Sequence, residues 1–180
     1  INTAGVHADD VHNMVCDQEF SIIPSRGEYY VMDKNQRQLV NHVIFQCPTK
    51  LGKGVLVSPT VHGNLIVGPN AEDIGLDDDV ATTSGGLAFV KELAAKSIPD
   101  INYRESIRNF AGVRAASAEV DDFIIQSSAS VPGFIDLAGI KSPGLSSAPA
   151  IAEMAVELAG GCGLTLNRKP GFIDSRHVVR

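Results

Sequence analysis

The stretch from Gly52 to Asn70, GKGVLVSPTVHGNLIVGPN, restricts the fold more than any other part of the chain. Val55-Leu56-Val57 and Leu65-Ile66-Val67 are short aliphatic runs, and His62, Gly63 and Asn64 lie between them. Glycine and asparagine tolerate the positive φ of a tight reversal, so the pattern predicts a β-hairpin. Pro59 has no N–H to give a ladder, which places it at the end of the first strand or on its edge. Gly68 and Pro69 close the second strand. A hairpin this apolar requires other strands beside it and a cover over one face.

The flanking sequence supplies both. Phe20–Ile23 is a short apolar run stopped by Pro24, and Arg26-Gly27-Glu28-Tyr29-Tyr30-Val31-Met32 is an aromatic-rich strand ended by Asp33-Lys34-Asn35. Val40–Phe45 reads as a further strand, and 48–53 as a loop into the hairpin. Strands at such short spacing favour an antiparallel sheet. One of Thr82, Thr83 and Ser84 caps a helix running to about Lys96, with Leu87, Val90, Leu93 and Ala94 on its buried side. This helix is the expected cover. Ala71 to Ala81 carries five acids without the Asp-x-Asp-Gly pattern of a calcium loop, so a solvated loop is expected and no metal site.

Around this centre, Ile1–Gly5 reads as a strand end entering a turn. Val6–Cys16 has helical spacing of Val11, Met14 and Val15, with Asp9, Asp10 and His12 as the polar face. Ile107–Ala115, Phe123–Gln126 and Phe134–Ala138 are further strands. Ser146 or Ser147 caps a last helix with Pro149 in its first turn, and Gly160-Gly161 ends it. Its expected stripe is Ile151, Met154, Ala155 and Leu158. The fold class is therefore α+β, an antiparallel or mixed sheet covered by helices.

The bulk properties exclude several functions. A formal net charge of -6 over 180 residues argues against nucleic-acid binding. Cys16, Cys47 and Cys162 match no metal spacing and suit a reducing compartment. No apolar run approaches the ~18 residues of a membrane span. A cytoplasmic setting is expected, with any membrane association made through partners. The chain opens on Ile-Asn-Thr-Ala-Gly-Val, within what reads as a buried strand, so it is expected to be part of a longer protein.

INTAGVHAD and VPGFIDLAGIKSPGLSSAPAIAEM resemble two parts of the flavin-binding domain of the D-amino-acid-oxidase-like superfamily of FAD enzymes. The intervening RGEYYVMD, PTKLGKGVLVSPTVHGNLIVGPNAED and FAGVRA resemble the substrate domain inserted into it. They are most similar to bacterial FAD-dependent glycerol-3-phosphate dehydrogenases of the anaerobic type, and L-2-hydroxyglutarate dehydrogenases share part of the character. The resemblance implies residues 1–17 and 128–165 as a partial Rossmann-like FAD-binding domain, 18–127 as a substrate-binding domain, and 166–180 as a tail or linker. The Gly-x-Gly-x-x-Gly dinucleotide fingerprint is absent. The piece alone is therefore expected to be inactive and prone to self-association.

The resemblance also implies site residues. Ala4, Gly5, Gly139, Ile140, Ser142, Gly144, Leu145 and Ser146 would line the flavin, where a helix N-terminus behind a glycine turn offers free N–H groups. Arg114 matches the arginine that holds a substrate phosphate or carboxylate, with Lys141 and Arg26 as further substrate-side cations. Tyr29 and Tyr30 alternate across a strand, so one faces the site, and Tyr29 is taken as the catalytic-side phenol. His7 and His12 read as helix-surface residues. The implied reaction is hydride transfer from the C2–H of a small phosphorylated or carboxylated 2-hydroxy compound to flavin N5. Glycerol 3-phosphate is the first choice of substrate and L-2-hydroxyglutarate the second. A non-catalytic α+β binding module is the competing class.

Overall fold

The computed structural model describes residues 1–47, 54–75, 80–167 and 169–173. The expected loop at 48–53, the acids Asp77–Asp79 and most of the tail lie outside the described residues.

The sheet is built around one long strand rather than around the hairpin. Strand β1 (Ile22–Met32) pairs along one edge with β6 (Ser106–Ser117). Along its other edge it pairs with β4 (Leu65–Gly68) through Tyr30–Met32 and with β5 (Glu72–Asp73) through Ser25 and Arg26. All these pairings are antiparallel. The hairpin forms as its sequence predicts: β3 (Leu56–Pro59) faces β4 with Val57 opposite Val67 and Pro59 opposite Leu65, and β2 (Ile44–Phe45) adds outside β3. Gly63 sits in the turn at φ 86°, a backbone conformation that glycine adopts without steric cost.

Pro24 does not stop a strand, contrary to the reading of the sequence. It lies within β1, opposite Ala115 of β6. Its carbonyl accepts the Ile74 N–H at 3.0 Å. Within a strand a residue's N–H and C=O point to the same side. The missing N–H of Pro24 is therefore turned away from the β6 ladder, onto the edge that β5 covers only briefly. The residues after β1 also differ from expectation. Lys34–Leu39 winds into a 3-10 helix whose first turn is held by Asp33, which accepts the Asn35 N–H, and the following strand is shortened to Ile44–Phe45.

Helix α2 (Ser84–Ala95) covers one face of the sheet, with Thr83 as its cap accepting the Gly86 N–H. Val90 and Ala94 pack into a core of Met32, Val40, Val55, Val57, Leu65, Val67 and Ile101, while Leu93 is partly buried against it. A second core joins Phe20, Ile22 and Ala115 to Ala8, Ile124 and Ala138. It links the sheet to α1 (Ala8–Asn13) and to a two-stranded ribbon of β7 (Ile124–Ser127) and β8 (Ile135–Ala138). Asn2 bridges to Asp136 of β8 in parallel, so the chain's two flanking segments lie side by side. β7 thus pairs with the flanking segment although the reading above groups it with the substrate domain.

Helix α3 (Gly144–Gly161) begins before the expected serine caps, directly after Pro143, and Pro149 lies inside it. Ile151, Ala155 and Ala159 are its buried residues, whereas Met154 of the expected stripe is 45% exposed. Among the described residues no helix is long and apolar enough to cross a membrane, and no group of three or more His, Cys, Asp or Glu is placed to hold a metal ion.

Candidate functional site

Strand alternation divides β1 into two chemistries. Glu28, Tyr30 and Met32 face α2. Ser25, Gly27, Tyr29 and Val31 face the other way, onto the surface that α2 does not cover. The register with β6 adds Arg114 beside Ser25, Gly112 beside Gly27 and Phe110 beside Tyr29. The Tyr29 and Phe110 rings stack at 4.9 Å with an 8° interplanar angle.

Arg114 is half-buried on this face. Its Nη2 donates to the main-chain carbonyls of Asn70 at 3.0 Å and Arg26 at 3.3 Å. Among the described residues no carboxylate pairs with it, and Nη1 and Nε make no hydrogen bond. Gly27 makes room for the guanidinium. A Cβ there would lie 3.1 Å from both terminal nitrogens and 2.9 Å from Pro69 Cβ. Tyr29 closes the other side: Gly68, at φ 141°, lies so tight against its ring that a Cβ would fall 2.7 Å from Tyr29 Cδ1. Burial pushes the Tyr29 phenol above its usual range, and the nearby Arg114 charge only partly offsets this. Tyr29 is thus a hydrogen-bond donor at neutral pH and not a base.

Arg26 is not brought to this site. Alternation turns it onto the α2 side, where it is buried, with Nη2 2.9 Å from Glu72 and Nε 3.5 Å from Glu28. Tyr30 likewise faces inward, its hydroxyl donating to the Leu87 carbonyl at 3.3 Å. Lys141 is engaged with the exposed Asp121, whose carboxyl it holds below the usual range through a hydrogen bond and its charge.

The expected cofactor elements gather at one end of the sheet, where β1 begins and β6 ends. The position of a Cβ on Gly139 is 3.6 Å from Ser117 Cβ, at the last residue of β6, and the turn Gly5–His7 packs against β1 and β6. Arg114 is three residues back along β6 from Ser117, about 10 Å at ordinary strand rise. Gly5 and Gly139 adopt φ 63° and 64°, and nothing lies within 4 Å of a Cβ at Gly5. At the start of α3 the Gly144 N–H is used by the Lys141 carbonyl and the Ser147 N–H by that of Pro143. The first-turn amides of Leu145 and Ser146 therefore remain as free donors among the described residues, at the positive end of the helix. Leu145 itself is 94% exposed. Ser146 Oγ donates back to the Pro143 carbonyl at 2.9 Å, and Ser142 is exposed. Ile140 packs on the bare Gly144, where a Cβ would lie 2.5 Å from its Cγ2. Ala4 accepts the His7 N–H, forming the opposing turn.

Residues 1–158 match the family described as FAD dependent oxidoreductase. The chain belongs to that family. It is 48% identical over 179 residues to the glycerol 3-phosphate dehydrogenase of Caloramator mitchellensis, covering 99% of this chain and 37% of that protein. It is 41% identical over 160 residues to the glycerol 3-phosphate oxidase of Mycoplasma genitalium, covering 88% and 41%. Among solved structures, dithionite-reduced L-alpha-glycerophosphate oxidase of Mycoplasma pneumoniae with FAD bound superposes with a TM-score of 0.84 at 33% identity, covering 94% and 44%. The chain thus spans less than half the length of each of these relatives.

The reading of the sequence misplaced His12. It is fully buried, with Nδ1 2.8 Å from Asp136 Oδ2 and Nε2 3.0 Å from the Asp17 carbonyl. Asn2 Nδ2 donates to the other Asp136 oxygen and to the Ala8 carbonyl, both at 2.8 Å. This polar knot ties the N-terminal turn to β8. Its signal was present only as polar residues in apolar elements, Asn2 beside Ile1 and Asp136 between Ile135 and Leu137.

Proposed function

We propose that this chain supplies the substrate-binding sheet and one flavin-facing edge of an FAD-dependent glycerol-3-phosphate dehydrogenase, which oxidises glycerol 3-phosphate to dihydroxyacetone phosphate. The observation that carries the reading is Arg114. A half-buried guanidinium held, among the described residues, by two carbonyls and no carboxylate keeps its full charge and part of its donor fork for an anion. The two relatives named for glycerol 3-phosphate favour phosphate as that anion.

In this reading Arg114 binds the phosphate through Nη1 and Nε, and the Tyr29 hydroxyl donates to a substrate oxygen. Phe110 stacks on the Tyr29 ring and holds it in place. Arg26 belongs to the core ion pairs. Lys141 reaches substrate only by exchanging its Asp121 partner. The Ala4–Gly5 turn, the Gly139–Ile140 turn and the residues from Ser142 to Ser146 fit the isoalloxazine edge of FAD, because they combine open space with free amides. When bound, FAD supplies a two-electron acceptor for the C2 hydrogen. The Leu145 and Ser146 amides then donate to the electron-rich edge of the ring system, where the helix end favours negative charge. The acidic composition and the free thiols favour a reducing, cytoplasmic setting in this reading.

Purified full-length protein is the test. It should show flavin absorbance and reduce an artificial dye with glycerol 3-phosphate in preference to L-2-hydroxyglutarate. Preference for the dicarboxylate would transfer Arg114 to a carboxylate, and a colourless protein would leave only a binding module.

A further inference from the structure

On the β4/β5 edge, β1 has a gap. β4 ends its pairing at Tyr30 and β5 pairs only Ser25 and Arg26, so Gly27–Tyr29 have no strand beside them. The segment from Gly68 to Asn70 crosses that gap. Asn70 is 6% exposed, and its Oδ1 accepts the Glu28 N–H at 2.7 Å, replacing the missing ladder bond. Its Nδ2 lies against α2, 2.8 Å from where a Cβ on Gly86 would be. The same residue's carbonyl is the nearer of the two acceptors that hold Arg114 Nη2. Pro69, immediately before it, covers Gly27 beside the guanidinium. One buried side chain therefore fixes the backbone atom on which Arg114 is aimed.

We propose that Asn70 is a positioning residue for the anion site, setting the direction of the Arg114 fork through its own main-chain carbonyl. The inference rests on the assignment of Arg114 to substrate binding. Losing the amide frees the Gly68–Asn70 segment from Glu28, and the carbonyl no longer has a defined place. Arg114 keeps its charge but loses its aim, so binding of the anion weakens while the reacting end of the substrate is untouched.

Asn64 provides the control. Its Nδ2 donates to the Met32 carbonyl at 3.0 Å, the same kind of side-chain bond to the same strand, at the end away from Arg114. In the full-length flavoprotein, Asn70→Ala should raise KM for glycerol 3-phosphate about tenfold with kcat within about threefold of the parent. It should weaken inorganic phosphate binding, measured by calorimetry, by a similar factor. Asn64→Ala should leave both constants unchanged, and flavin content should be equal in all three proteins. Equal effects of the two substitutions, or a fall in kcat with KM preserved, would overturn the positioning role. A parent protein that binds phosphate but does not oxidise glycerol 3-phosphate would remove the proposed substrate alone. Asn70 would then stand or fall on the phosphate affinities.

Discussion

Alanine at Gly86 should destabilise the protein, while alanine at the adjacent Gly85 should not. Both glycines lie in the first turn of α2. Intrinsic propensity favours either replacement by up to about 1 kcal/mol. At Gly85 nothing lies within 4 Å of the new methyl. At Gly86 the Cβ would fall 2.0 Å from Glu28 Oε1 and 2.5 Å from its Cδ. Glu28 cannot give way cheaply. It is fully buried, its Oε2 accepts the Thr83 N–H at 2.7 Å, and its Oε1 accepts the Thr83 hydroxyl at 2.9 Å.

Displacing that carboxylate forfeits two hydrogen bonds to a charged group, each worth roughly 1.5–3 kcal/mol. After the propensity gain, a net loss of roughly 2–5 kcal/mol is expected for Gly86→Ala, against a gain of at most about 1 kcal/mol for Gly85→Ala. Urea unfolding of the full-length protein, followed by far-ultraviolet circular dichroism, would show the midpoints moving in opposite directions. Equal midpoints, or a Gly86→Ala protein more stable than its parent, would refute the claim that Glu28 is locked beneath α2.

Four further outcomes follow from other parts of the molecule. Arg114→Lys should retain flavin but lose about 2–4 kcal/mol of transition-state binding, read as kcat/KM for glycerol 3-phosphate, since one ammonium cannot hold two carbonyls and present a fork. Gly27→Ala should lower kcat/KM in the same assay, because its methyl meets Pro69 Cβ at 2.9 Å and both Arg114 nitrogens at 3.1 Å. His12→Ala should cost about 3–5 kcal/mol by urea unfolding, as Asp136 is then buried without its ring partner. Burial pushes Tyr103 up to about 12. Its folded form therefore holds a proton that the unfolded form loses near pH 10, and this contribution to stability is complete below pH 10 and fades as pH rises to 12. Tyr103→Phe should reduce the loss of thermal stability across that window by on the order of 1 kcal/mol, discounted for the half-exposed ring.

The parts of the fold legible in the sequence are those with local causes. The hairpin followed from two aliphatic runs around Gly63 and Asn64, and the start of α2 from the Thr82-Thr83-Ser84 run ahead of an apolar periodicity, within which Thr83 is the cap. Pro24 misled because a proline's effect depends on which edge its missing N–H faces, and that is decided by β5 and β6, far away in sequence. His12 and Asp136 are 124 residues apart, so periodicity within either element assigns the histidine to the surface. Met154 was misread for a related reason. α3 packs only with Ile151, Ala155 and Ala159 buried, a narrower stripe than its composition allows. Of the candidate site, Tyr29 and Arg114 were named from the motifs that carry them, whereas Phe110 and Asn70 were not, since cross-strand register and a gap in the ladder have no local signature.

The alternation of β1 also explains why the candidate site and the core are mechanically joined. Arg26 and Glu28 send charged groups into the helix-covered side, where each is buried and paired. Between them, Gly27 presents bare backbone to the opposite face, beneath Arg114 and Pro69. An inward charge that lost its partner would be costly, so this part of the strand cannot slide. A one-residue slip would also exchange the two faces. The buried pairs therefore hold the register that puts Tyr29 over Phe110 and Arg114 over Gly27. Arg114, on β6, differs from the buried Arg26 of β1: Arg26 has carboxylates within ion-pair distance, while Arg114 has, among the described residues, carbonyls alone. Stability would be better served by an acid beside it. The described residues supply acids to Arg26 and only carbonyls to Arg114, and that contrast is the ground for proposing Arg114 as the partner of an anionic ligand.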